Sequence, residues 1–476
     1  MDLTIVITLV AYKILLLGIG FWANKRTHTT GDFFLGGRQL GSVVAAVSYC
    51  ASSSSAWTLL GMSGVAYTIG ISSVWLACGA IFGASFAWLW VAPRLMRYSH
   101  RNNILTLTEF LSEGSTITQE TRIRVVATCI ILFSFIFYIS AQFQGAGNTF
   151  ETTLNLGFKE SIILGGLIIV IYTLLGGFWA VSLTDTIQGL MMLLAAIVLP
   201  ILALLEAGGY QGIHNALASQ QLDALLTLSF SNTGLAAVGF IVGGLSVGFS
   251  TFGQPHLVSR FMALKNEKAL ASARWIAIAW FTIVFFGMCI LGLSVRVILP
   301  EIGNPETLFF QAASILLPPI IGGVMIAAVL SAIMSTADSM LLVGAASVAH
   351  DLRLATRYPG KELIVARLAM VGLSIAAILL ALNLPASIFD RALFAWVAIG
   401  SAFGPILLVK LSGMKIPANG ILLAMTCSFV LAIIFYYLPN TPGDIAERTL
   451  PFFAGLIILI LASKRHSEFT INTDCC

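Results

Sequence analysis

Long apolar runs separated by short polar segments make up most of this chain. The runs have about the length of roughly 20 residues that a transmembrane helix needs. They predict an all-α integral membrane protein with about thirteen spans, numbered here in chain order. The predicted spans are 3–22, 43–69, 73–93, 125–152, 160–178, 183–206, 233–259, 275–298, 308–348, 363–384, 388–409, 416–438 and 449–463.

Composition supports a protein built inside the bilayer. Hydrophobic residues make up 58% of the 476 positions and charged residues only 10%, whereas a soluble domain carries about 25% charged residues. The longest polar stretches, 94–124, 207–232 and 350–362, are too short to build a core of their own. The sequence therefore predicts one transporter-like membrane domain over 1–476, with lipid as its surroundings and no nucleic acid as a partner.

Basic residues predict the orientation in the membrane. With the N-terminus outside, twenty of the 25 lysines and arginines fall on the cytoplasmic side, Arg260 and Lys410 among them. This excess follows the positive-inside rule and predicts an odd number of spans, with the N-terminus out and the C-terminus in. The first run, 3–22, is too long for a signal-peptide core and is interpreted as a membrane anchor. The four basic residues predicted outside are Lys159, Arg296, Arg391 and Arg448.

Enzyme and metal signatures are missing from the sequence. It contains no phosphate-binding glycine loop, no His-Glu-x-x-His pair and no nucleophile elbow, and its six histidines are scattered. Five of the seven cysteines fall in apolar spans and are interpreted as buried free thiols, while Cys475-Cys476 is a weak lipidation signal. Active transport by such a chain would have to use an ion gradient, with no cofactor.

A polar stretch interrupts predicted span two. Ser48-Tyr-Cys-Ala-Ser-Ser-Ser-Ser-Ala-Trp-Thr58 places several hydroxyls at membrane depth, where hydrocarbon cannot replace their hydrogen bonds with water. Polar clusters at this depth usually face a bundle interior or a water-filled cavity. The stretch is thus the first candidate binding region.

Predicted span seven carries a second interruption. Four glycines and a proline occur between Gly243 and His256, which predicts a broken helix with backbone groups available to a ligand. A tightly packed glycine interface with a proline kink is the alternative. The polar side chains of Ser246, Ser250, Thr251 and Gln254 favour the ligand-binding interpretation.

Predicted span nine contains an oxygen-rich segment, Ser331-Ala-Ile-Met-Ser-Thr-Ala-Asp-Ser339. Helical spacing places Ala332, Ser335, Thr336 and Ser339 along one face. Each hydroxyl could instead bond the preceding turn, but the carboxylate of Asp338 needs a counter-charge or a cavity. Hydroxyl and carboxylate oxygens suit a hard cation such as sodium.

Two further polar sites lie in apolar runs. Asp185, near the start of predicted span six, is either a solvated cap at the interface or a buried functional carboxylate. Tyr138 and Gln142 share a helix face at i, i+4. We expect them either to line a solute cavity or to form hydrogen bonds with neighbouring helices.

The spacing of the two interruptions suggests an internal repeat. Spans two and seven are five spans apart, and broken segments in corresponding halves mark transporter binding sites. We expect an inverted repeat of five helices each, 43–206 and 233–409, preceded by the extra helix 3–22 and followed by two helices in 416–463.

Four motifs in order resemble the sodium/solute symporters, and most closely the bacterial sodium/proline symporters. They are Phe34-Leu-Gly-Gly-Arg38, Gly176-Gly-Phe-x-Ala-Val-Ser-x-Thr-Asp185, Phe252-Gly-Gln-Pro-His-x-x-x-Arg-Phe-Met262 and Met334-Ser-Thr336. The resemblance implies the leucine-transporter-type fold and alternating access in a plasma membrane.

Site residues follow from this resemblance. It implies a sodium held by carbonyls of Ala51, Ser54 and Ala332 and by hydroxyls of Ser335 and Thr336. In some members a second sodium uses the positions of Asp185, Ser335, Asp338 and Ser339. The expected solute contacts are Ser55, Trp57, Tyr138, Gln142, Thr251 and Gln254, and the expected gating or coupling residues are Arg38, Ser53 and Pro255.

Three positions depart from the sodium/proline symporters. The sodium/proline symporters carry aspartate at the position of Ser53, and aromatic residues at the positions of Val247 and Thr251. Sodium-coupled uptake of a small solute, most simply proline or another amino acid, is the expected function, with a monomer sufficient. The alternatives are a proton-coupled symporter that titrates Asp185 or Asp338, and a membrane solute sensor; a membrane enzyme is disfavoured.

Overall fold

The computed structural model describes residues 35–154, 156–175, 178–354, 361–384 and 387–473, and residues 7, 8, 10–12, 14, 18 and 19 of the first predicted span. The rest of that span, Gly176-Gly177 of the second motif and Cys475-Cys476 lie outside the described residues. Helices form nearly all the regular structure of the described part. Leu40 and Leu264 additionally form an isolated β-bridge.

Eighteen α-helices are labelled here in chain order. They are α1 Ser42–Ser53, α2 Met62–Ile69, α3 Val74–Phe86, α4 Ala92–Asn102, α5 Leu107–Ser112, α6 Ile117–Leu154, α7 Phe158–Leu175, α8 Phe178–Glu206, α9 Gly209–Ser219, α10 Gly234–Ser246, α11 Pro255–Ala263, α12 Glu267–Ile298, α13 Leu308–Leu316, α14 Pro319–Ala346, α15 Glu362–Asn383, α16 Ile388–Leu411, α17 Ala418–Tyr437 and α18 Ile445–Thr473.

Ten stretches of the described chain are long and apolar enough to cross a membrane. The all-helical membrane class is therefore confirmed, whereas thirteen spans and the outside N-terminus stay predictions. One predicted boundary was wrong. Span nine, predicted as 308–348, begins with the separate helix α13 and continues as α14 after Pro318, because proline favours the first turn of a new helix.

The first interruption falls within the polar stretch. Helix α1 ends at Ser53, and Ser54 adopts an extended conformation (φ −96°, ψ 91°). The chain resumes as a π-helical turn at Trp57–Gly61, which leads into α2. The Cys50 carbonyl still accepts from the Ser54 amide, but the Ala51 and Ser52 carbonyls that follow it are available to other groups.

The second interruption has a different backbone form. Helix α10 ends at Ser246, a 3-10 segment runs over Val247–Gly253, and Gln254 is extended before α11 starts at Pro255. Glycines explain the close packing here, since a Cβ on Gly253 would lie 2.5 Å from the amide nitrogen of Gly404 in α16. The 3-10 segment is therefore fixed against α16.

Helices α14 and α16 occupy the centre of the bundle. In their most apolar windows, 83% of the α14 residues and 94% of the α16 residues are buried within the protein. Helix α14 packs against α1, α6 and α8, so it faces the first interruption directly. The oxygen-rich segment of α14 is in this way brought to the broken end of α1.

Candidate functional site

The broken end of α1 and the middle of α14 form an oxygen cluster. The Ser335 hydroxyl donates to the Ala51 carbonyl at 2.9 Å and lies 3.2 Å from the Ala332 carbonyl. The Thr336 hydroxyl donates to the Ser52 carbonyl at 3.0 Å. The Ala51 and Ser52 carbonyls are those freed by the end of α1, whereas the Ala332 carbonyl belongs to α14. Hard cations prefer such oxygen ligands.

Four of the five predicted sodium ligands meet in this cluster. Ala51, Ala332, Ser335 and Thr336 are fully buried. Ser54 is also buried, and its hydroxyl has no hydrogen-bond partner among the described residues. The cluster additionally includes the Ser52 carbonyl, which the sequence did not single out. The dry surroundings strengthen any ion–dipole contact made here.

A second group of polar contacts lies just beyond the interruption. The hydroxyls of Ser55 and Tyr138 are 3.2 Å apart. The Gln142 side-chain oxygen accepts the Ala56 amide at 3.0 Å, which supplies a partner for an N–H at the start of the next helical segment. Three of the predicted solute contacts, Ser55, Tyr138 and Gln142, are thus placed together beside the predicted sodium ligands.

Aromatic rings cover this group on one side. The Trp57 ring packs against Phe285 of α12 at 5.6 Å between centroids and against Phe389 of α16 at 5.9 Å. The Phe389 amide is held by the Glu306 carboxylate at 2.9 Å. Sequence reasoning missed Phe285, Phe389 and Glu306, because each lies on an element distant in the chain.

The two solute contacts predicted on the second interruption have other partners. The Gln254 amide group donates to the carbonyls of Ser250 (3.0 Å) and Trp396 (2.9 Å). Thr251 faces α3, since a Cβ on Gly83 would lie 2.6 Å from its hydroxyl oxygen. Among the contacts described, neither residue joins the Ser55–Tyr138 group; the nearest link is the Trp396 ring, 6.3 Å from that of Tyr138.

Asp185 lies in a buried ion pair. One of its carboxylate oxygens accepts from Arg260 at 3.0 Å, from Ser48 at 2.9 Å and from Ser52 at 3.1 Å. Arg260 also donates to Ser339 at 2.6 Å. Both charged side chains have no exposed surface. The interpretation of Asp185 as a solvated interfacial cap was wrong.

Arg260 was the main residue that sequence reasoning misplaced. Counted among the cytoplasmic basic residues, it is fully buried on α11. Arg391, counted among the outside basic residues, is likewise buried, within α16. The third motif could have indicated that Arg260 is buried. Arg260 follows the helix-starting Pro255 by only five positions, so it stays close to the interruption.

Asp338 is the second buried carboxylate of this region and lies on α14. Neither of its oxygens has a hydrogen bond of good geometry within the described part of the chain, and its nearest donors are the amide and hydroxyl of Ser339. Asp185 and Arg260 are its electrostatic neighbours. Asp185, Asp338 and the Arg260 guanidinium therefore lie together in this region, which would be one positive charge short of neutrality with both carboxyls ionised.

The predicted gating residues occupy the ends of the interrupted helices. Ser53 is the last residue of α1 and Pro255 the first of α11. Arg38 precedes α1 and donates to the Ile104 carbonyl at 2.9 Å, just beyond α4. Its contacts connect the start of the first interrupted helix to a neighbouring element.

A charged cluster lies at the α5 end of the bundle, outside the predicted binding region. Glu109 of α5 accepts from His350 at 2.7 Å and from the Leu105 amide at 2.7 Å, with Arg124 3.8 Å away. Burial opposes ionisation of Glu109, but these donors and the nearby arginine outweigh it, so the pKa of this carboxyl lies below its ordinary value. The cluster ties α5 to α6 and to the end of α14.

Solved structures identify the class of this fold. A structure of a sodium-coupled sialic acid symporter in a substrate-bound outward-open state matches 97% of this chain and 98% of that one, with TM-score 0.80 at 18% identity. The nucleobase-cation symporter Mhp1 in a closed conformation gives TM-score 0.60, and MhsT with L-phenylalanine 0.56. The chain has a leucine-transporter-like fold.

Sequence comparison defines the family. A family model, described as the sodium:solute symporter family, matches residues 33–427 of the sequence. The osmoregulated proline transporter OpuE of Bacillus subtilis (strain 168) is 35% identical over 98% of this chain and 96% of its own length. A sodium/proline symporter of Staphylococcus aureus (strain JH9) is 31% identical, covering 96% and 92%. This chain belongs to the sodium:solute symporter family and is a multi-pass membrane protein; its relatives are transporters, not enzymes.

Proposed function

We propose that this protein imports a small zwitterionic solute, most simply proline, with sodium as the coupling ion. The oxygen cluster between α1 and α14 carries the proposal. It joins backbone carbonyls of Ala51 and Ala332 to the hydroxyls of Ser335 and Thr336 in a fully buried position. Sodium would replace the hydrogen bonds among these oxygens, with Ser54 providing a further carbonyl.

The charge balance supports a single bound cation. With both carboxyls ionised, Asp185 and Asp338 would contribute two negative charges against the one positive charge of Arg260, all in fully buried side chains. An uncompensated charge is costly in such surroundings. One sodium beside Ser335, three residues before Asp338, brings the region to neutrality. A second sodium at Asp185, Asp338 and Ser339 would lie beside the Arg260 guanidinium and would give the buried region an excess of positive charge, so we propose one sodium per solute.

Proline is the proposed solute because the two similar bacterial proteins, at 31–35% identity, are named as proline carriers. The solute would lie against Ser55, Tyr138 and Gln142 with Trp57 above it, a group adjacent to the sodium oxygens. Val247 and Thr251 replace aromatic residues of the proline symporters. We expect Trp396, beside Tyr138, to supply part of that aromatic wall.

The proposal includes a topology that the fold supports. Two halves, 43–206 and 233–409, each begin with an interrupted helix, as an inverted repeat requires. We propose thirteen spans in the plasma membrane, with the N-terminus outside and a monomer as the functional unit. Arg38, Ser53 and Pro255 would then lie at the ends of the elements that gate the cytoplasmic side.

Proton coupling is the second candidate, and Asp338 is the observation that favours it. A fully buried carboxyl that shares one guanidinium with Asp185 could hold a proton in place of a neighbouring sodium. Such a proton would restore the same neutral balance. The two candidates differ in which gradient drives uptake.

Reconstituted vesicles separate these candidates. The purified full-length protein is placed in proteoliposomes, and labelled proline uptake is followed under an inward sodium gradient alone or an inward proton gradient alone. We expect accumulation with sodium and none with protons. Accumulation with protons alone would favour Asp338 as the coupling site. Solute binding without uptake under either gradient would indicate a sensor.

A further inference from the structure

Helix α4 carries a basic stripe on its outer side. Arg94, Arg97 and Arg101 follow one another at spacings of three and four residues, which places them along one side of the helix. All three are exposed, whereas Leu95 and Met96 on the remaining surface are buried. Helix α4 contains no acidic residue. It therefore presents a row of positive charge to its surroundings.

The start of α12 extends this stripe. The Arg97 side chain donates to the Glu267 carboxylate at 2.6 Å, which joins α4 to the first turn of α12. Lys268, the next residue, is exposed. Within the described part of the chain, Lys268, Arg94 and Arg101 form no ion pair. We call these four basic residues the α4–α12 patch; together with Glu267 they carry three net positive charges.

Other basic residues predicted on the same side of the membrane have acidic partners. Arg124 lies 2.5 Å from Glu120 and 3.8 Å from Glu109. Arg353 lies 3.3 Å from Glu120 as well. The α4–α12 patch differs from them, because most of its charge is left uncompensated by these contacts. Such a patch attracts an anionic partner.

Two tryptophans place the patch at the surface of the bilayer. Both α4 and the start of α12 lie at the ends of stretches that are long and apolar enough to cross a membrane. Trp90 lies one turn before Arg94, whose guanidinium covers the indole ring at 4.3 Å from its centroid. Trp275 lies two turns after Lys268 on the same side of α12 and is 63% exposed. Because tryptophan is enriched at membrane–water interfaces, each helix marks the interface just inside its basic residues.

The depth of the patch fits that of lipid phosphates. With a rise of 1.5 Å per residue, Arg94 lies about 6 Å beyond Trp90 along its helix, and Lys268 about 10 Å beyond Trp275. The polar headgroup layer on each side of the hydrocarbon core is about 5–7 Å thick. Long arginine and lysine side chains extend along apolar surface while their charged ends stay in the polar layer. The basic groups are thus within reach of the headgroups.

We propose that the α4–α12 patch binds the phosphate of an anionic phospholipid, such as phosphatidylglycerol, from the leaflet on this side of the membrane. Arg94 and Lys268 contact the phosphate, Arg101 adds to the attraction, and the acyl chains lie beside Trp90 and Trp275. Phosphatidylcholine also offers a phosphate, but its quaternary ammonium group brings a positive charge that an uncompensated basic patch repels. The inference depends on neither the solute nor the coupling ion of the proposed function.

Lipid titration of the full-length protein in detergent tests the proposal. The rise of the thermal midpoint is followed with phosphatidylglycerol or with phosphatidylcholine of the same acyl chains. Arg94→Gln with Lys268→Gln is compared with the wild type and with Arg122→Gln plus Lys415→Gln. The second pair is a matched control, because it removes one arginine and one lysine that are exposed and predicted on the same side.

The patch variant and the control are expected to differ strongly. A basic residue near an anionic lipid surface is worth about fivefold in affinity. We therefore expect the patch variant to bind phosphatidylglycerol roughly 30-fold more weakly than the wild type, and the control to match the wild type. Equal affinity of the wild type for both lipids would overturn the proposal. Equal weakening in both double variants would also overturn it, because it would show a diffuse effect of surface charge.

Fluorescence quenching gives a second readout that leaves every basic residue in place, so it decides the question even if the patch variant does not fold. The contribution of Trp275 is the difference between the wild type and Trp275→Phe in proteoliposomes. Brominated phosphatidylglycerol or brominated phosphatidylcholine is added at equal mole fraction. We expect brominated phosphatidylglycerol to quench this contribution at least twofold more strongly, and equal quenching by the two lipids would overturn the proposal. Neither measurement involves uptake, so a failed transport assay bears on the proposed function alone.

Discussion

Two oxygen clusters on α14 differ in the source of their positive charge. The cluster at Ser335 and Thr336 gathers neutral carbonyl and hydroxyl oxygens around the broken end of α1. The cluster at Ser339, four residues after Ser335, surrounds the guanidinium of Arg260 in its ion pair with Asp185. Both are fully buried, so a charge placed in either cluster is costly without a compensating partner.

The difference suggests separate roles on one helix. A covalently attached cation cannot leave, so the Arg260 cluster is suited to hold α1, α8, α11 and α14 together. The neutral cluster lacks an attached cation and can exchange a mobile one. The two proposed roles can be tested separately, by removing a charge from the Arg260 cluster or a ligand from the neutral cluster.

The largest expected effect comes from Asp185→Asn. This variant leaves the Arg260 guanidinium buried without a counter-ion, which typically costs about 3–5 kcal/mol. We expect a sharp fall in folded protein, measured as monodisperse yield and thermal midpoint in detergent. Asp185→Leu with Arg260→Met, which removes both charges, is expected to recover much of the stability. Wild-type stability of Asp185→Asn would show that the pair does not hold the helices together.

A smaller effect is expected at the neutral cluster. Ser335→Ala or Thr336→Ala removes one hydroxyl ligand worth about 1 kcal/mol, which corresponds to roughly a fivefold higher sodium concentration for half-maximal uptake. The double variant should shift it by roughly 30-fold. Ser374→Ala is a matched control, because this buried hydroxyl of α15 bonds the Met370 carbonyl one turn earlier. Unchanged sodium dependence in the double variant would remove both residues from the site.

The solute group should respond separately from the sodium cluster. Tyr138→Phe removes the hydroxyl that lies 3.2 Å from Ser55, a neutral contact of about 1 kcal/mol. We expect the proline KM to rise roughly fivefold while the sodium activation curve keeps its midpoint. Thr149→Ala on the same helix is the control, since that hydroxyl bonds the Gly145 carbonyl. A shift of the sodium midpoint with an unchanged proline KM would contradict this, because it would assign Tyr138 to the sodium cluster.

The smallest expected effect concerns the cluster around α5. The pKa of Glu109 lies below its ordinary value of about 4.3 because His350, the Leu105 amide and Arg124 outweigh the effect of burial. Its contribution to stability is present above that ordinary value and is lost as the pH falls through the lowered pKa. Between pH 6 and pH 3 the thermal midpoint of the wild type should therefore fall more than that of Glu109→Gln. Parallel curves would contradict this.

The sequence predicted the interrupted helices well, because glycines, a proline and clustered hydroxyls are costly in a continuous span at membrane depth. It also predicted that Ala51, Ala332, Ser335 and Thr336 would meet, through motifs of the family. It misassigned Arg260, since a lone arginine after a polar segment is normally solvated. It offered no means to pair Leu40 with Leu264 or Trp57 with Phe389, because these contacts join elements hundreds of residues apart.

The ratio of charge to solute moved tests the central claim most directly. Proline is a neutral zwitterion at neutral pH, so net charge entering proteoliposomes reports the coupling ion. With the membrane potential clamped, we predict one positive charge per labelled proline, carried by sodium as shown by a matching ²²Na⁺ influx. Two sodium ions per proline would contradict the account, because a second cation beside Arg260 would leave the buried region with an excess of positive charge.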